Sequence, residues 1–165
     1  MRNKYRVSFE ALGESAAIFL SWATGIDFAG QDFGNEDRWF CTSVYDGDVP
    51  IVVIVFEFKN PFDAHFTLAV ADPRGLSRQL ITTIYRTVFQ RASRVTALVA
   101  PENKTALKGV WRMGFIQEGY LRRGYDGVRD ALIFGLLPEQ CPYMPGKPFI
   151  FKVVKQTHEM AQRMQ

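Results

Sequence analysis

Apolar and polar residues alternate through residues 5–10, "YRVSFE", which predicts a short strand. The period then changes. In "ALGESAAIFLSWATG", residues 11–25, Ala16, Ala17, Leu20 and Ala23 fall along one side of a helix, and Gly25 supplies its stop. A polar, glycine-containing loop runs from Gly25 to Asp37. Next, "RWFCTSVYDGD" (38–48) and "PIVVIVFEFKN" (50–60) predict two strands joined at the hairpin signal Asp46-Gly47, and "DAHFTLAVA" (63–71) predicts a third. From Leu76 the spacing is helical: Leu76, Leu80, Ile81, Ile84, Tyr85, Val88, Phe89 and Ala92 recur at steps of four and one. "RVTALVA" (94–100) predicts a strand and Asn103 to Met113 a helix ended by Gly114. "FIQEGYLRRGYDGVRDALIFGLL" (115–137) predicts two strands around Asp126-Gly127.

The order is strand, helix, three strands, helix, strand, helix, two strands. Hairpins imply antiparallel pairing, whereas the strand–helix–strand crossovers after residue 63 imply parallel pairing. The expected class is α/β in the α+β sense: a mixed, mostly antiparallel central sheet of about seven strands with helices on both faces. After Leu137 the composition shifts, with Pro138, Pro142, Pro145 and Pro148 ahead of "FIFKVVKQTHEMAQRMQ". The expected organisation is a domain over 1–137 and a proline-rich appendage over 138–165.

Composition narrows the function classes. A chain of 165 residues that is 47% hydrophobic can bury a core of its own. The formal charge of +3 is too small for general nucleic-acid binding, and no basic run is longer than Arg122-Arg123. Arginines 74, 78, 86, 91 and 94 read as charge on solvated surfaces. Cys41 and Cys141 lack metal-ligand spacing, so no metal site is expected, and a reducing compartment is. The start carries no signal-peptide pattern, and "IVVIVF" (51–56) is too short to cross a bilayer. A soluble, cytoplasmic protein with no membrane partner is expected.

The candidate chemistry starts at "LAVADPRGLSRQLITTIY", residues 68–85. Two readings fit "DPRGLS". Asp-Pro-x-Gly is a type I turn signature. Equally, a helix opening at Leu76 would aim backbone N–H groups at the preceding strand end, Gly75 would admit an anion close to the backbone, and Arg74 and Arg78 would add charged donors. A helix terminus contributes about 0.3–2 kcal/mol to anion binding, against roughly 8 kcal/mol for micromolar affinity. Such a loop holds a ligand only with help from elsewhere.

A second stretch bears on the choice. In "VAPENKTALKGVWRMGFIQEGYLRR" (99–123), Asn103 is followed by Ala106 at +3 and by Gly114-Phe115 at +11 and +12. Glu118-Gly119, Arg122, Arg123, Asp126-Gly127 and Asp130 come after. Together with "LAVADPRGLSRQL" and the element order, this resembles the GNAT superfamily of acyl-CoA N-acyltransferases, nearest the subgroup that acetylates N-terminal amines of ribosomal proteins. The resemblance covers residues 5–137 and leaves out the tail.

It implies that strands 4 and 5 are parallel and splayed around the thioester of acetyl-CoA, the co-substrate. Leu68, Ala69 and Val70 would pair with the pantetheine arm. Arg74, Gly75, Leu76, Ser77 and Arg78 would form the pyrophosphate loop and first helical turn, and Asn103 would order the cofactor near the fifth strand. The acceptor would be an amine of a protein, peptide or small molecule. A catalytically degenerate scaffold, acting as a binding or assembly protein, is the alternative. The appendage at 138–165 would offer contacts to a partner or a second copy.

Several positions depart from the pattern. Asp72 stands where the family loop carries Gln or Arg, and Ser77 where it carries a second small residue. Val110 replaces a Tyr acid and Ala106 a Ser. The family's base position on the fourth strand falls on Ala64. His65 lies one step away, facing the other side of the sheet unless a bulge turns it. His65 and Asp126 are the candidate acid–base groups, with Glu57 as a further base and Tyr125 as an acid. An α-amine, with a pKa near 7.7–8.0 against about 10.4 for lysine, needs about 3.4 kcal/mol less help in losing its proton. An α-amine acceptor therefore fits this chain better than lysine.

Overall fold

The structure, a computed structural model, describes residues 4–144. Elements follow in the expected order: β1 (Arg6–Ser8), α1 (Glu14–Thr24), β2 (Trp39–Asp46), β3 (Val49–Phe58), β4 (Asp63–Val70), a 3₁₀ turn (Pro73–Gly75), α2 (Arg78–Val88), β5 (Arg94–Val99), α3 (Lys104–Arg112), β6 (Ile116–Leu121) and β7 (Ala131–Leu136). The strands form one seven-stranded mixed sheet in the order β1-β2-β3-β4-β5-β7-β6, with β4 and β5 parallel. The pairings β1–β2, β2–β3, β3–β4, β5–β7 and β6–β7 are antiparallel. By its contacts the chain divides into two compact units, Met1–Ala92 and Ser93–Gln165.

In the first unit, β3 is apolar on both faces because each face is covered. Val53 and Val55 pack with Ala69 and with Ala16 and Leu20 of α1. On the opposite face, Phe56 meets Tyr85 of α2 with ring centroids 6.2 Å apart. Helix α1 stops where expected, at Gly25 in the left-handed region (φ 71°). Its buried stripe is narrower than the expected one, because Ala23 is exposed. Helix α2 buries Leu80, Ile84, Tyr85 and Val88 but begins two residues later than expected, at Arg78. The cause is local. The Asp72 carboxylate accepts the Arg74 N–H (3.0 Å) and tightens residues 73–75 into a 3₁₀ turn, and Ser77 then caps the helix.

In the second unit, Val95, Ala97, Val99, Leu107, Val110, Phe115, Phe134 and Leu136 are buried. The expected tight hairpin at Asp126-Gly127 is the tip of a longer connection over 122–130. Arg123 adopts φ 54° there, its N–H donates to Asp130 (2.7 Å), and the Tyr120 hydroxyl donates to the same carboxylate. Residues 138–144 are fastened to the turn that ends α3. A side chain at Gly114 (φ 91°) would lie 2.7 Å from Pro142 Cδ. Cys141 is fully buried, and its N–H donates to the Leu137 carbonyl at 3.0 Å. Residues 145–165 of the expected appendage lie outside the described residues.

Each unit holds one buried cysteine, Cys41 in the first and Cys141 in the second. Burial pushes both thiols up to about 11. Among the described residues no group of three His, Cys, Asp or Glu could hold a metal ion. No described helix is long and apolar enough to cross a membrane.

Candidate active site

Segment 68–80 is the centre of the candidate site. Leu68, Ala69 and Val70 close β4 in unbroken register with β3, opposite Ile54, Val53 and Val52. Ala69 is buried toward α1, while Val70 is 38% exposed. Ala71 continues onto the Ile51 carbonyl (2.8 Å), and the 3₁₀ turn follows. Within that turn the Gly75 N–H donates to the Asp72 carbonyl (3.1 Å) and the Leu76 N–H to the Pro73 carbonyl (3.0 Å). The Ser77 hydroxyl accepts from Leu80 N–H at 3.1 Å, a cap worth about 1 kcal/mol. Strand end, turn and helix start adjoin one another, but α2 opens at Arg78, after the arginine-bearing turn and the Ser77 cap, and not at Leu76.

Two features of the turn differ from a simple anion cradle. Gly75 is buried, and a Cβ there would lie 2.9 Å from Val52 Cγ2 and 3.2 Å from Ile51 Cδ1. Its small size lets the turn settle on β3. Arg74, 73% exposed, already has an anion: its Nε and Nη2 donate to the Asp72 carboxylate at 3.0 and 2.7 Å. The Arg74 guanidinium and N–H hold the Asp72 carboxyl at about 2, and the Tyr5 hydroxyl adds a contact at 3.4 Å. Tyr5 is a site neighbour that the sequence did not reveal, because nothing in the alternation of residues 5–10 singles it out.

The acid–base candidates are spread over both units. His65 sits on β4 opposite Glu57, in a register without a bulge, so it faces the α1 side of the sheet; its Nε2 is 3.4 Å from Asp63 Oδ2. Glu57 is engaged twice, by Arg38 and Lys59, each at 2.6 Å. Burial works to raise its pKa, but those two cations outweigh it and hold the carboxyl below its ordinary value. In the second unit Asp126 caps its own turn, accepting from the N–H groups of Val128 (3.0 Å) and Arg129 (2.7 Å) and from Arg129 Nε (2.8 Å). Those bonds hold Asp126 at about 2. Burial raises the Tyr125 phenol, whose ring lies under the Arg129 guanidinium. Asn103 caps α3 through the Ala106 N–H (3.0 Å), and Val110, where the sequence resemblance leads one to expect a Tyr acid, is a buried core residue.

With this strand order, a helix-opening turn after β4 and an Asn-capped helix after β5, the chain has the fold of solved GNAT acetyltransferases. Particular solved structures make the likeness concrete. The ribosomal-protein-S18-alanine N-acetyltransferase from Escherichia coli is 18% identical with a TM-score of 0.61, over 81% of this chain and 93% of its own. The spermidine N-acetyltransferase from Vibrio cholerae, solved with CoA and spermine, is 16% identical with a TM-score of 0.60, over 83% and 97%. Mycobacterium smegmatis RimJ, solved with CoA-disulfide, is 18% identical with a TM-score of 0.58, over 82% and 84%. No protein-family model matches the chain, and no curated protein matches it.

Proposed function

We propose that this chain is an acetyl-CoA-dependent N-acetyltransferase whose acceptor is an α-amine of a protein or peptide. The observation that carries the reading is segment 68–80, where a strand end, two arginines and a Ser77-capped helix start adjoin one another. That donor set suits an anion: the positive end of α2, with Arg74 and Arg78 beside it. Bound acetyl-CoA supplies an activated acyl group on a thioester. The chain's own part is to anchor the phosphates at 74–78 and to align β4 with the arm that follows.

The acceptor class follows from what the carboxylates are doing. Glu57 and Asp126 are engaged by cations and held below their ordinary pKa values, which suits neither as a base near neutral pH. With neither carboxylate suited to take the proton, an amine with an appreciable neutral fraction is favoured. An α-amine near 7.7–8.0 is about a tenth to a sixth neutral at pH 7, whereas lysine near 10.4 is neutral in well under about one part in a thousand.

Thermal melting with increasing acetyl-CoA tests the first half of the proposal. At one hundred times the dissociation constant the ligand stabilises by about 2.7 kcal/mol, or roughly 5–11 °C for a chain of this size. No shift at millimolar acetyl-CoA refutes it. For the acceptor, peptides with a free α-amine are compared by mass spectrometry with Nα-blocked lysine peptides. Acetylation confined to lysine overturns the α-amine assignment. A second reading, a scaffold without catalysis, is favoured by the buried Val110 at the acid position. Acetyl-CoA binding without transfer to any amine is its signature.

A further inference from the structure

We infer that Asp72 is a resident competitor for the anion site: its carboxylate occupies the donors of Arg74 that a ligand phosphate would use, and so sets the affinity of the site and the charge a ligand needs to enter it. The inference rests on the assignment of residues 74–78 to the acetyl-CoA pyrophosphate. Three observations carry it. The pairing is a fork, with Arg74 Nε 3.0 Å from Oδ1 and 3.1 Å from Oδ2, and Nη2 2.7 Å from Oδ2. The carboxylate is also the fixed partner, because it accepts the Arg74 N–H at 3.0 Å and lies 3.4 Å from the Tyr5 hydroxyl. Finally, the Arg74 side chain is 73% exposed while that of Asp72 is 20% exposed, so the arginine is the half free to move.

The arginine therefore has two positions. In this structure it is closed on Asp72; in the other it swings onto a bound anion, and the carboxylate behind it keeps the partners it has in the turn. A monoanionic ligand exchanges one carboxylate-strength contact for another and gains little. A pyrophosphate, with more charge and more acceptor oxygens, gains on the exchange. Because the Asp72 carboxyl is held at about 2, it stays ionised at every working pH, and the competition is constant from pH 5 to pH 9.

Asp72→Asn is the informative variant. It keeps an Oδ1 acceptor for the Arg74 N–H, so the turn is retained, but it removes the competing charge. An exposed ion pair is worth about a twofold to fivefold change in an equilibrium constant. Acetyl-CoA is titrated by calorimetry at low salt into wild type, Asp72→Asn, Arg74→Ala and the double variant, with each fold checked by circular dichroism. The expected result is binding about two to five times tighter in Asp72→Asn, and loss of that gain in the double variant. Binding in wild type that is unchanged or weaker in Asp72→Asn overturns the competitor and leaves the acetyl-CoA site standing. A gain that survives Arg74→Ala overturns it too, since the charge then acts elsewhere. No binding by any of the four overturns both the site and the competitor.

Discussion

Replacing Gly75 by alanine separates a glycine that faces a phosphate from one that faces the protein. A Cβ at this position would stand 2.9 Å from Val52 Cγ2, 3.2 Å from Ile51 Cδ1 and 3.4 Å from Val44 Cγ1. Carbon atoms rest at about 3.5–4.0 Å, so the turn or the strand must yield by roughly 0.6 Å or more. Val52 is fully buried and Val44 nearly so, and neither short, branched side chain can swing aside. Overpacking of this kind costs about 1–3 kcal/mol. Alanine also restricts the unfolded chain, which returns about 0.4–1 kcal/mol. The net expectation is a loss of about 1–2 kcal/mol, or roughly 2–8 °C in Tm. Denaturant unfolding measures the loss, and an acetyl-CoA titration of the same protein is expected to give a dissociation constant within about twofold of wild type. A variant as stable as wild type that binds acetyl-CoA tenfold more weakly would refute the reasoning and return Gly75 to the phosphate.

Thr42 is fully buried and its hydroxyl has no hydrogen-bond partner among the described residues, so Thr42→Val is expected to stabilise by about 1 kcal/mol in urea unfolding, whereas Thr42→Ser destabilises. Asn103→Ala should cost about 0.5–2 kcal/mol through loss of the α3 cap, and Asn103→Asp should restore most of it; equal stability of the alanine variant and wild type would argue against the cap. Asp72 and Asp126 both have folded pKa values of about 2, below the ordinary 3.8, so their contribution is complete above pH 4 to 5 and is lost as pH falls toward 2. Carboxyl titration by NMR should place both near 2, and a midpoint near 4 for either would remove its ion pair.

The architecture was legible because its signals are periodic. The steps of four and one in α2, the Asp46-Gly47 hairpin signal and the glycines after α1 and α3 each report a one-dimensional pattern that packing then fulfils. The start of α2 lies two residues beyond the start of the helical pattern because Leu76 fits that period, while the Asp72 side chain, acting on Arg74, decides the local backbone. The hairpin at Asp126-Gly127 was placed correctly but read too short, since the Asp130 bonds to Arg123 and Tyr120 that organise it join residues up to ten apart. Site chemistry was the least legible. His65, Glu57 and Asp126 are ordinary titratable residues in sequence, and only their engagement by Asp63, Arg38, Lys59 and Arg129 tells what each is free to do. The Asp72–Arg74 pair was foreseeable as adjacency, but not as a fork.

The two cysteines give this molecule a built-in pair of reporters. One thiol lies in each compact unit, and both are shielded and protonated at neutral pH. A thiol reagent reaches either sulfur only when its surroundings open, so the labelling rate of Cys41 follows the sheet packed on α1, and that of Cys141 follows the turn of 138–144 seated beside Gly114. Identifying which sulfur is modified first, by peptide mapping with and without acetyl-CoA, would show which half of the chain loosens first.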